Sequence, residues 1–178
     1  MADALKAPST GDETGSWQRL EELYRSSRDD VYAYALTLLR DSAAAEDVTE
    51  VAFERAFRRR RTFDRRRGEE RPWLFGIARN AALDELRRRK RHASLIVDPE
   101  TAEEEVDDDG PEVTLRRTVV RAALASMSGR DRELIALKFH AGLSNAEIAK
   151  VLGVSESNAG TMLHRTVQKL REACNATV

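Results

Sequence analysis

The chain has 178 residues, a length that allows one medium-sized domain or two small ones. Charged residues make up 34% of it and aromatic residues 6%, which is typical of helix-rich globular proteins. No apolar stretch approaches the roughly 18 residues of a membrane-spanning helix, and residues 1–15 do not resemble a signal peptide. We therefore predict a cytoplasmic protein without membrane insertion. The single cysteine, Cys174, excludes an internal disulfide, and the three histidines lack ligand spacing, so we expect no metal site and no cofactor.

The net charge of −1 conceals a strong separation of charge along the chain. Residues 1–50 carry a net charge of −6, residues 51–91 carry +9, residues 92–115 carry −9 and residues 116–178 carry +5. Arginine supplies 25 of the 30 cations, and its planar guanidinium suits phosphate and stacks on bases. The pattern indicates two units that bind a polyanion, joined by an acidic segment that repels one.

In chain order, residues 1–15 mix small, polar and turn-forming residues and are predicted to be a disordered leader. Apolar residues then recur at helical spacing over residues 17–40, 43–61 and 72–91, which predicts three helices. Residues 62–71 contain Gly68 and many charges and are predicted to be a loop, with Pro72 opening the third helix. A first helical domain is therefore expected over residues 16–91.

Residues 92–115 are predicted to be an acidic flexible linker, because they contain Pro99, Gly110 and Pro111 and too little apolar surface to fold. Fully extended, such a linker spans about 80 Å. Its nine carboxylates have two interpretations. They could fold over the cations of residues 51–91 and suppress stray DNA binding, or they could serve only as a spacer.

Residues 116–178 are predicted to form a second helical domain. Its first two helices are expected over residues 115–127 and 130–140, and the apolar side chains of the second are Leu134, Ile135, Leu137 and Phe139. Ser144 followed by Glu147 is the capping box of a helix over residues 144–152, and a turn at residues 153–155 precedes a last helix. Two short helices joined in this way form a helix-turn-helix. The fold class is therefore predicted to be all-α, with two small domains; a plain helical hairpin is the alternative for the last two helices.

The second helix of a helix-turn-helix enters the major groove of DNA and offers side chains near its N-terminus to the bases. We predict that Asn158 pairs with adenine and that Thr161 contacts a thymine methyl group or a phosphate. The full set of candidate duplex contacts comprises Ser144, Ser157, Asn158, Thr161, Met162, His164, Arg165 and Lys169.

Cations and aromatic residues alternate between the second and third predicted helices. Residues 58–61 and 65–67 are all arginine, Phe63 lies between them, and Trp73 follows. This arrangement suits single-stranded nucleic acid, because the charges follow the backbone while the rings stack on exposed bases. A solvated charged face with aromatic residues in the core is the alternative interpretation.

Three segments resemble a known family: AEDVTEVAFERAFRR (residues 45–59), RPWLFGIARNAALDELRRRKR (residues 71–91) and LSNAEIAKVLGVSESNAGTMLHR (residues 143–165). They are similar to the two conserved domains of bacterial RNA polymerase sigma factors, in the extracytoplasmic-function (ECF) group of the sigma-70 family. The resemblance implies that the first domain binds core RNA polymerase and opens the −10 element, and that the second binds the −35 element of promoter DNA. It also implies an anti-sigma factor as a partner.

The resemblance carries these roles to particular residues. The polymerase-docking set is Asp47, Glu50, Val51, Phe53 and Phe57. The −10 and melting set is Phe63, Arg65, Arg66, Trp73, Arg79, Asn80, Arg87 and Arg88. The sequence departs from the family where a Gln followed by an acidic residue is common, because Glu50 and Val51 stand there. It departs again at Gly160 and Met162, where many members carry cations, and Gly160 suggests a close approach to DNA.

Other classes of protein remain as alternatives. A stand-alone helix-turn-helix regulator would bind duplex DNA without polymerase, but the sequence shows no effector domain. An arginine-rich RNA-binding protein would not need the ordered C-terminal hairpin. An enzyme is not expected, because no phosphate loop, nucleophile elbow or pair of catalytic carboxylates can be identified.

Overall fold

The computed structural model describes residues 10–60, 63, 66, 69–93 and 111–177, and these residues form helices and no strand. The predicted all-α fold class is confirmed. Residues 1–9 and 94–110, which hold most of the predicted leader and linker, lie outside the described residues. The helices are α1 (Thr10–Leu39), α2 (Ser42–Arg59), α3 (Glu70–Ala93), α4 (Pro111–Ser126), α5 (Gly129–Phe139), α6 (Asn145–Leu152) and α7 (Glu156–Thr177).

Two helices extend into segments predicted to be unstructured. Helix α1 begins at Thr10, inside the predicted leader, and α4 begins at Pro111, inside the predicted linker. Residues 10–16 contain no proline, so α1 can extend toward the N-terminus beyond the predicted start at residue 17. Proline is well tolerated at the first helical position, because its missing N–H would have no partner there and its fixed φ is helical.

Helices α1, α2 and α3 form the N-terminal module around one apolar core. Its largest side chains are Tyr34 and Phe75, which are fully buried with their ring centroids 5.6 Å apart in an edge-on arrangement. Small residues on α2, including Ala45, Ala52 and Ala56, are buried where it faces α1 and α3. Their short side chains let the three helix backbones approach closely. This close packing fixes the orientation of α2 relative to α3.

The connection between α1 and α2 is fixed by one carboxylate. Asp41 caps α2 by accepting a hydrogen bond from the backbone N–H of Ala44, and it also accepts one from Arg89 at the end of α3, at 2.6 Å. The bond from Ala44 and the nearby guanidinium of Arg89 outweigh partial burial and lower the pKa of Asp41. Arg40, in the tight turn before Asp41, has a φ of 57°. The bond between Arg89 and Asp41 connects the end of α3 to the start of α2.

Helices α4 to α7 form the C-terminal module, whose core includes Leu134, Leu137, Leu143 and Ile148. The predicted capping box at the start of α6 is present, because the Ser144 side chain and the Glu147 side chain each satisfy a backbone N–H of the other. Gly153, directly after α6, has a φ of 69°, a left-handed conformation that glycine adopts without strain. Phe139, the last residue of α5, is 63% exposed, while Leu134, Ile135 and Leu137 are buried.

We expect Ser144→Ala to destabilise the C-terminal module by about 1 kcal/mol, because the backbone N–H of Glu147 loses the hydroxyl oxygen that accepts its hydrogen bond. Urea unfolding followed by circular dichroism measures this loss. Ser157→Ala is the matched control, since Ser157 is exposed inside α7 and caps no helix. An equal effect of the two substitutions would contradict the stabilising role of the capping box.

The two modules are in contact, which the sequence does not predict. Helix α1 packs against α5, and α3 packs against α6. Buried apolar residues of α5 and α6, among them Leu134, Leu137 and Ile148, join those of α1 to α3 in one continuous cluster. The described residues therefore adopt a closed arrangement, in which one face of the N-terminal module is covered by the C-terminal module.

Candidate nucleic-acid and polymerase interface

The predicted polymerase-docking residues divide into an exposed acidic face and an apolar face. Asp47 and Glu50 are exposed and lie three residues apart on α2, so they share one side of the helix. Val51 is half-buried. Phe53 is 8% exposed and packs edge-on against Tyr24, with ring centroids 4.8 Å apart. Only the carboxylates therefore offer unobstructed contacts to a partner from this surface.

Phe57 also packs inside the N-terminal module. Its ring centroid lies 4.5 Å from that of Trp17, and the guanidinium of Arg60 stands 4.3 Å from the Phe57 centroid and 4.7 Å from the Trp17 centroid. These contacts join the start of α1 to the end of α2. The structure thus gives Phe57 a structural role, while its predicted docking role stays a prediction.

A cleft of about 240 Å³ lies where α1, the end of α2 and the start of α3 meet. Trp73 and Phe63 stand side by side in its wall, with ring centroids 5.2 Å apart. Arg60, from the arginine run that the sequence indicated, and Arg19, which it did not indicate, contribute cations. Glu70 contributes one carboxylate, 3.8 Å from the Nε of Arg19. The cleft therefore combines aromatic surface with positive charge, the combination that binds an unstacked base and its phosphate.

Helix α3 presents one polar face beyond this cleft. Trp73, Asn80 and Arg87 are spaced by seven residues, which places them on the same side of the helix. Asn80 and Arg87 are exposed, and Trp73 is half-buried in the cleft wall. Arg66 is exposed, and Arg65 lies outside the described residues. The structure thus brings Phe63, Trp73, Asn80 and Arg87 to one side of the N-terminal module.

The predicted phosphate contacts Arg87 and Arg88 are exposed and form ion pairs within α3. Arg87 contacts Asp84 at 3.2 Å, and Arg88 contacts Glu85 at 2.7 Å. The hydrogen bond from Arg88 is the main cause that lowers the pKa of Glu85. The Arg87–Asp84 pair is exposed on both sides and contributes little to stability, so a phosphate can replace Asp84 at low cost. The Glu85 side chain is 13% exposed and also pairs with Arg89.

Arg79 differs from the other predicted −10 residues, because it faces the C-terminal module. Its Nε donates a 2.6 Å hydrogen bond to Glu133 on α5, and the side chains are 24% and 9% exposed. Tyr34 is buried nearby, and its hydroxyl has no hydrogen-bond partner among the described residues. Burial raises the pKa of Tyr34, and the Glu133 carboxylate raises it further. In the closed arrangement Arg79 is paired with Glu133, and its predicted contact with the −10 strand stays a prediction.

The recognition face of α7 is exposed along its whole length. Its residues follow helical spacing, so their side chains share one side of α7; they are Ser157, Asn158, Thr161, His164 and Arg165. Ser144, at the cap of α6, is also exposed. This face carries hydrogen-bonding groups near its N-terminal end and cations further along, which fits base edges followed by phosphates.

Three other residues of α7 make contacts inside the module. Lys169 donates to Asp131 at 2.9 Å, and Met162 lies against Arg130 with its sulfur 3.9 Å from a guanidinium nitrogen. A Cβ on Gly160 would meet the Asn145 side chain at 3.4 Å. This is an ordinary van der Waals distance, so the packing of α6 does not by itself require glycine at this position, and the suggested approach to DNA stays a prediction.

Asp131 connects α5 to α7. It accepts hydrogen bonds from Thr166 and Lys169 on α7 and from the Ser128 hydroxyl. Partial burial alone would raise the pKa of Asp131, but these donors outweigh burial and lower it. The recognition helix is thus held against α5 at its middle, which keeps its exposed face rigid.

The interface between the modules contains a second cluster around the end of α5. Arg71 donates through Nε to the Ala141 carbonyl at 2.6 Å and through a terminal nitrogen to the His140 carbonyl at 3.2 Å. It also bonds Asp30 at 2.6 Å. The His140 ring lies 3.2 Å from the Thr37 hydroxyl. One arginine thus links α1, α3 and the end of α5.

We expect the stability of the closed chain to fall as the pH drops below 6.5, the ordinary pKa of histidine. Burial lowers the pKa of His140, and the nearby Asp30 carboxylate partly opposes this shift. The charged group that α3 places beside His140 is the guanidinium of Arg71, which donates to the His140 carbonyl. The unfolded chain then binds a proton more readily than the folded chain, so stability is full above pH 6.5 and declines below it toward the lowered pKa. Urea unfolding at several pH values, with His140→Gln as the control, checks this; an unchanged pH dependence in the variant would contradict it.

Within the described ranges, no helix combines the length and apolar character needed to cross a membrane. In the same part of the chain, no group of three or more histidine, cysteine, aspartate or glutamate side chains is arranged to hold a metal ion.

Comparison with known proteins matches both modules. The family model for sigma-70 region 2 matches residues 23–92, and the model for sigma-70 region 4 matches residues 117–170. Among solved structures, the chain resembles the sigma factor RpoE in complex with the anti-sigma factor NepR from Bartonella quintana. The TM-score is 0.74 and the identity 20%, over 89% of this chain and 98% of that one. It also resembles CnrH in complex with the cytosolic domain of CnrY, with a TM-score of 0.65 and 23% identity, over 92% of each chain.

Curated relatives agree with the family models. The ECF RNA polymerase sigma factor SigL of Mycobacterium tuberculosis is 32% identical over 85% of this chain and 86% of that protein. The ECF RNA polymerase sigma factor SigM of Bacillus subtilis is 27% identical over 89% of this chain and 97% of that protein. Since the two family models together cover more than half of the chain and the identity to SigL extends over both modules, the chain belongs to the ECF RNA polymerase sigma factors of the sigma-70 family.

Proposed function

We propose a division of labour between the two modules for the activity of this family, which is to bind core RNA polymerase and direct promoter-specific transcription initiation. The N-terminal module would bind polymerase through α2 and hold the opened −10 strand on α3. The C-terminal module would read the −35 duplex with α7. The observation that carries the proposal is the exposed polar face of α7 together with the aromatic and cationic cleft beside α3.

The cleft supports the assignment of strand opening to the N-terminal module. A base that leaves the duplex loses its stacking energy and must recover it from the protein. The rings of Trp73 and Phe63 supply stacking surface, and Arg19 and Arg60 supply charge for the neighbouring phosphates. Asn80 and Arg87 continue the same side of α3, so several nucleotides of one strand could be held in succession.

The acidic face of α2 supports a polymerase-docking role for Asp47 and Glu50. Asp47→Asn with Glu50→Gln should slow association with core polymerase, because rim charges mainly steer the encounter. The control is Glu22→Gln, an exposed acid on α1 that lies outside this face. Surface plasmon resonance with immobilised core polymerase gives the association rates. Equal rates for the two variants would remove α2 from the docking surface.

The experiment that tests the function as a whole is reconstitution with sigma-free core polymerase. The purified chain should produce transcripts with defined start sites, and core polymerase alone should not. A stand-alone helix-turn-helix regulator would instead protect a duplex operator by itself and leave core polymerase inactive. The match of residues 23–92 to sigma-70 region 2 argues against that alternative, since such a regulator has no use for a strand-opening module.

Three further properties follow from the same proposal. The chain would work in the cytoplasm, where polymerase and promoter DNA are found, and it would catalyse no reaction of its own. An anti-sigma factor would be a further partner; the structures of similar fold contain RpoE with NepR and CnrH with CnrY, and the closed arrangement offers a compact surface for such a protein.

A further inference from the structure

Met162 stands at the edge of the recognition face of α7. It is half-buried, whereas Thr161 and Arg165 on the recognition face are exposed and Leu163 and Thr166 on the inner face are buried. Many members of the family carry a cation at this position, so this chain has a neutral thioether where others have charge. The Met162 sulfur therefore lies beside the surface proposed to read DNA without supplying a charge to it.

The sulfur of Met162 lies against a guanidinium from another helix. Arg130, the second residue of α5, is exposed and donates from a terminal nitrogen to this sulfur at 3.9 Å. A thioether is a weak acceptor, so this contact holds the cation only weakly. An oxygen on the same side chain would hold it more tightly, because hydrogen bonds from charged donors to oxygen are among the strongest in proteins.

Oxidation of the thioether creates such an oxygen. A lone pair of the Met162 sulfur attacks one oxygen of a hydroperoxide, the O–O bond breaks, and a proton transfer releases water or an alcohol. The sulfur is oxidised and the hydroperoxide is reduced, and the product is methionine sulfoxide. The new oxygen is bonded directly to the sulfur, so it lies within reach of the Arg130 guanidinium.

Burial separates Met162 from the other oxidisable sulfur atoms. The chain has three methionines and one cysteine. Met127 is 8% exposed, whereas Met162 is only half-buried. Because oxidation follows exposure, Met162 should react before Met127. Met1 lies outside the described residues, and Cys174 is half-buried, so a Cys174→Ser background is needed to isolate the methionines.

We propose that Met162 is a reversible oxidation site whose sulfoxide captures Arg130 and lowers the affinity of the C-terminal module for duplex DNA. The sulfoxide oxygen is the negative end of a dipole and would stand on the face that phosphates approach, while Arg130 would be withdrawn from them. Methionine sulfoxide reductases restore the thioether, one enzyme for each epimer. This inference rests on the proposed function, because it assigns a regulation to the duplex-reading helix.

The first test measures duplex affinity before and after oxidation. Hydrogen peroxide is applied to the Cys174→Ser chain, and mass spectrometry locates the sulfoxide. Fluorescence anisotropy then reports binding to a labelled duplex that the reduced chain has selected from a random pool. Oxidation of Met162 should weaken binding by about tenfold, the effect of losing one contact at a DNA interface. Treatment with both reductases should restore the affinity.

Two substitutions in the same background separate Met162 from the rest of the chain. Met162→Leu keeps an apolar side chain of similar volume, so peroxide should leave its duplex affinity almost unchanged. Met127→Leu is the matched control and should lose as much affinity as the parent chain. Equal losses in Met162→Leu and the parent would overturn the proposal, as would the absence of sulfoxide at Met162. Circular dichroism should be unchanged by peroxide; a loss of helix in parallel with the loss of binding would also overturn it.

The second test removes the guanidinium. In Arg130→Gln, again with Cys174→Ser, oxidation of Met162 should weaken duplex binding less than in the parent, because the sulfoxide has no cation to hold. Arg121→Gln removes the same charge from an exposed position on α4 and should show the full oxidation effect. Equal oxidation effects in these two variants would overturn the capture of Arg130.

The two proposals fail in different ways. The duplex measurements use the chain without polymerase and compare oxidised with reduced protein. If reconstitution gives specific transcripts but oxidation of Met162 leaves duplex binding unchanged, the sigma-factor function stands and the oxidation site is wrong. If oxidation weakens binding through Met162 but core polymerase is not engaged, the site is real and the proposed initiation function is wrong.

Discussion

Phe75→Ala is expected to destabilise the N-terminal module by about 3–5 kcal/mol, the range measured when a large aromatic side chain is removed from a packed core. Phe75 is fully buried; its ring meets Tyr34 edge-on, and the guanidinium of Arg71 lies 5.3 Å from its centroid. Alanine would leave a cavity that the surrounding helices cannot fill, because Tyr34 is held in place by its own packing.

Urea unfolding followed by circular dichroism measures this loss. Phe139→Ala is the matched control, since it removes the same ring from a position that is 63% exposed and should change stability by less than about 0.5 kcal/mol. A loss below about 1 kcal/mol for Phe75→Ala would contradict the packing described here, because even the mildest core truncations cost about that much.

Trp73→Ala is expected to reduce open-complex formation by about tenfold to a hundredfold, which corresponds to the loss of one base-stacking contact of about 1–3 kcal/mol. The indole forms part of the cleft wall beside Phe63, so its removal takes away stacking surface without touching the recognition face of α7. Permanganate reactivity of unpaired thymines, on a promoter that the wild-type chain uses, reports the opened strand.

Two comparisons separate stacking from folding. Trp73→Phe keeps an aromatic ring and should retain part of the activity, while Phe139→Ala should leave it unchanged. Affinity for core polymerase should be equal in all variants, because Trp73 lies outside the acidic face of α2. Full opening by Trp73→Ala, in a chain that folds normally, would remove the cleft from the strand-opening site.

Sequence alone was informative wherever the determinants are local. The capping box of Ser144 and Glu147 lies within one helical turn, so residue types at fixed spacing were sufficient to locate the start of α6. The exposed face of α7 followed from helical periodicity in the same way. Local rules were less accurate at helix ends, because α1 and α4 begin earlier than predicted.

What the amino-acid sequence determined by itself was the all-α fold, the separation of charge and the family, because periodicity, composition and motif order are properties of neighbouring residues. Only the tertiary structure decided which charges meet across the modules. Arg79 and Glu133 are 54 residues apart, and Arg71 and Ala141 are 70 apart. No local pattern distinguishes a buried carboxylate such as Glu133 from a solvated one, since its burial arises from two helices that pack against each other after each has formed.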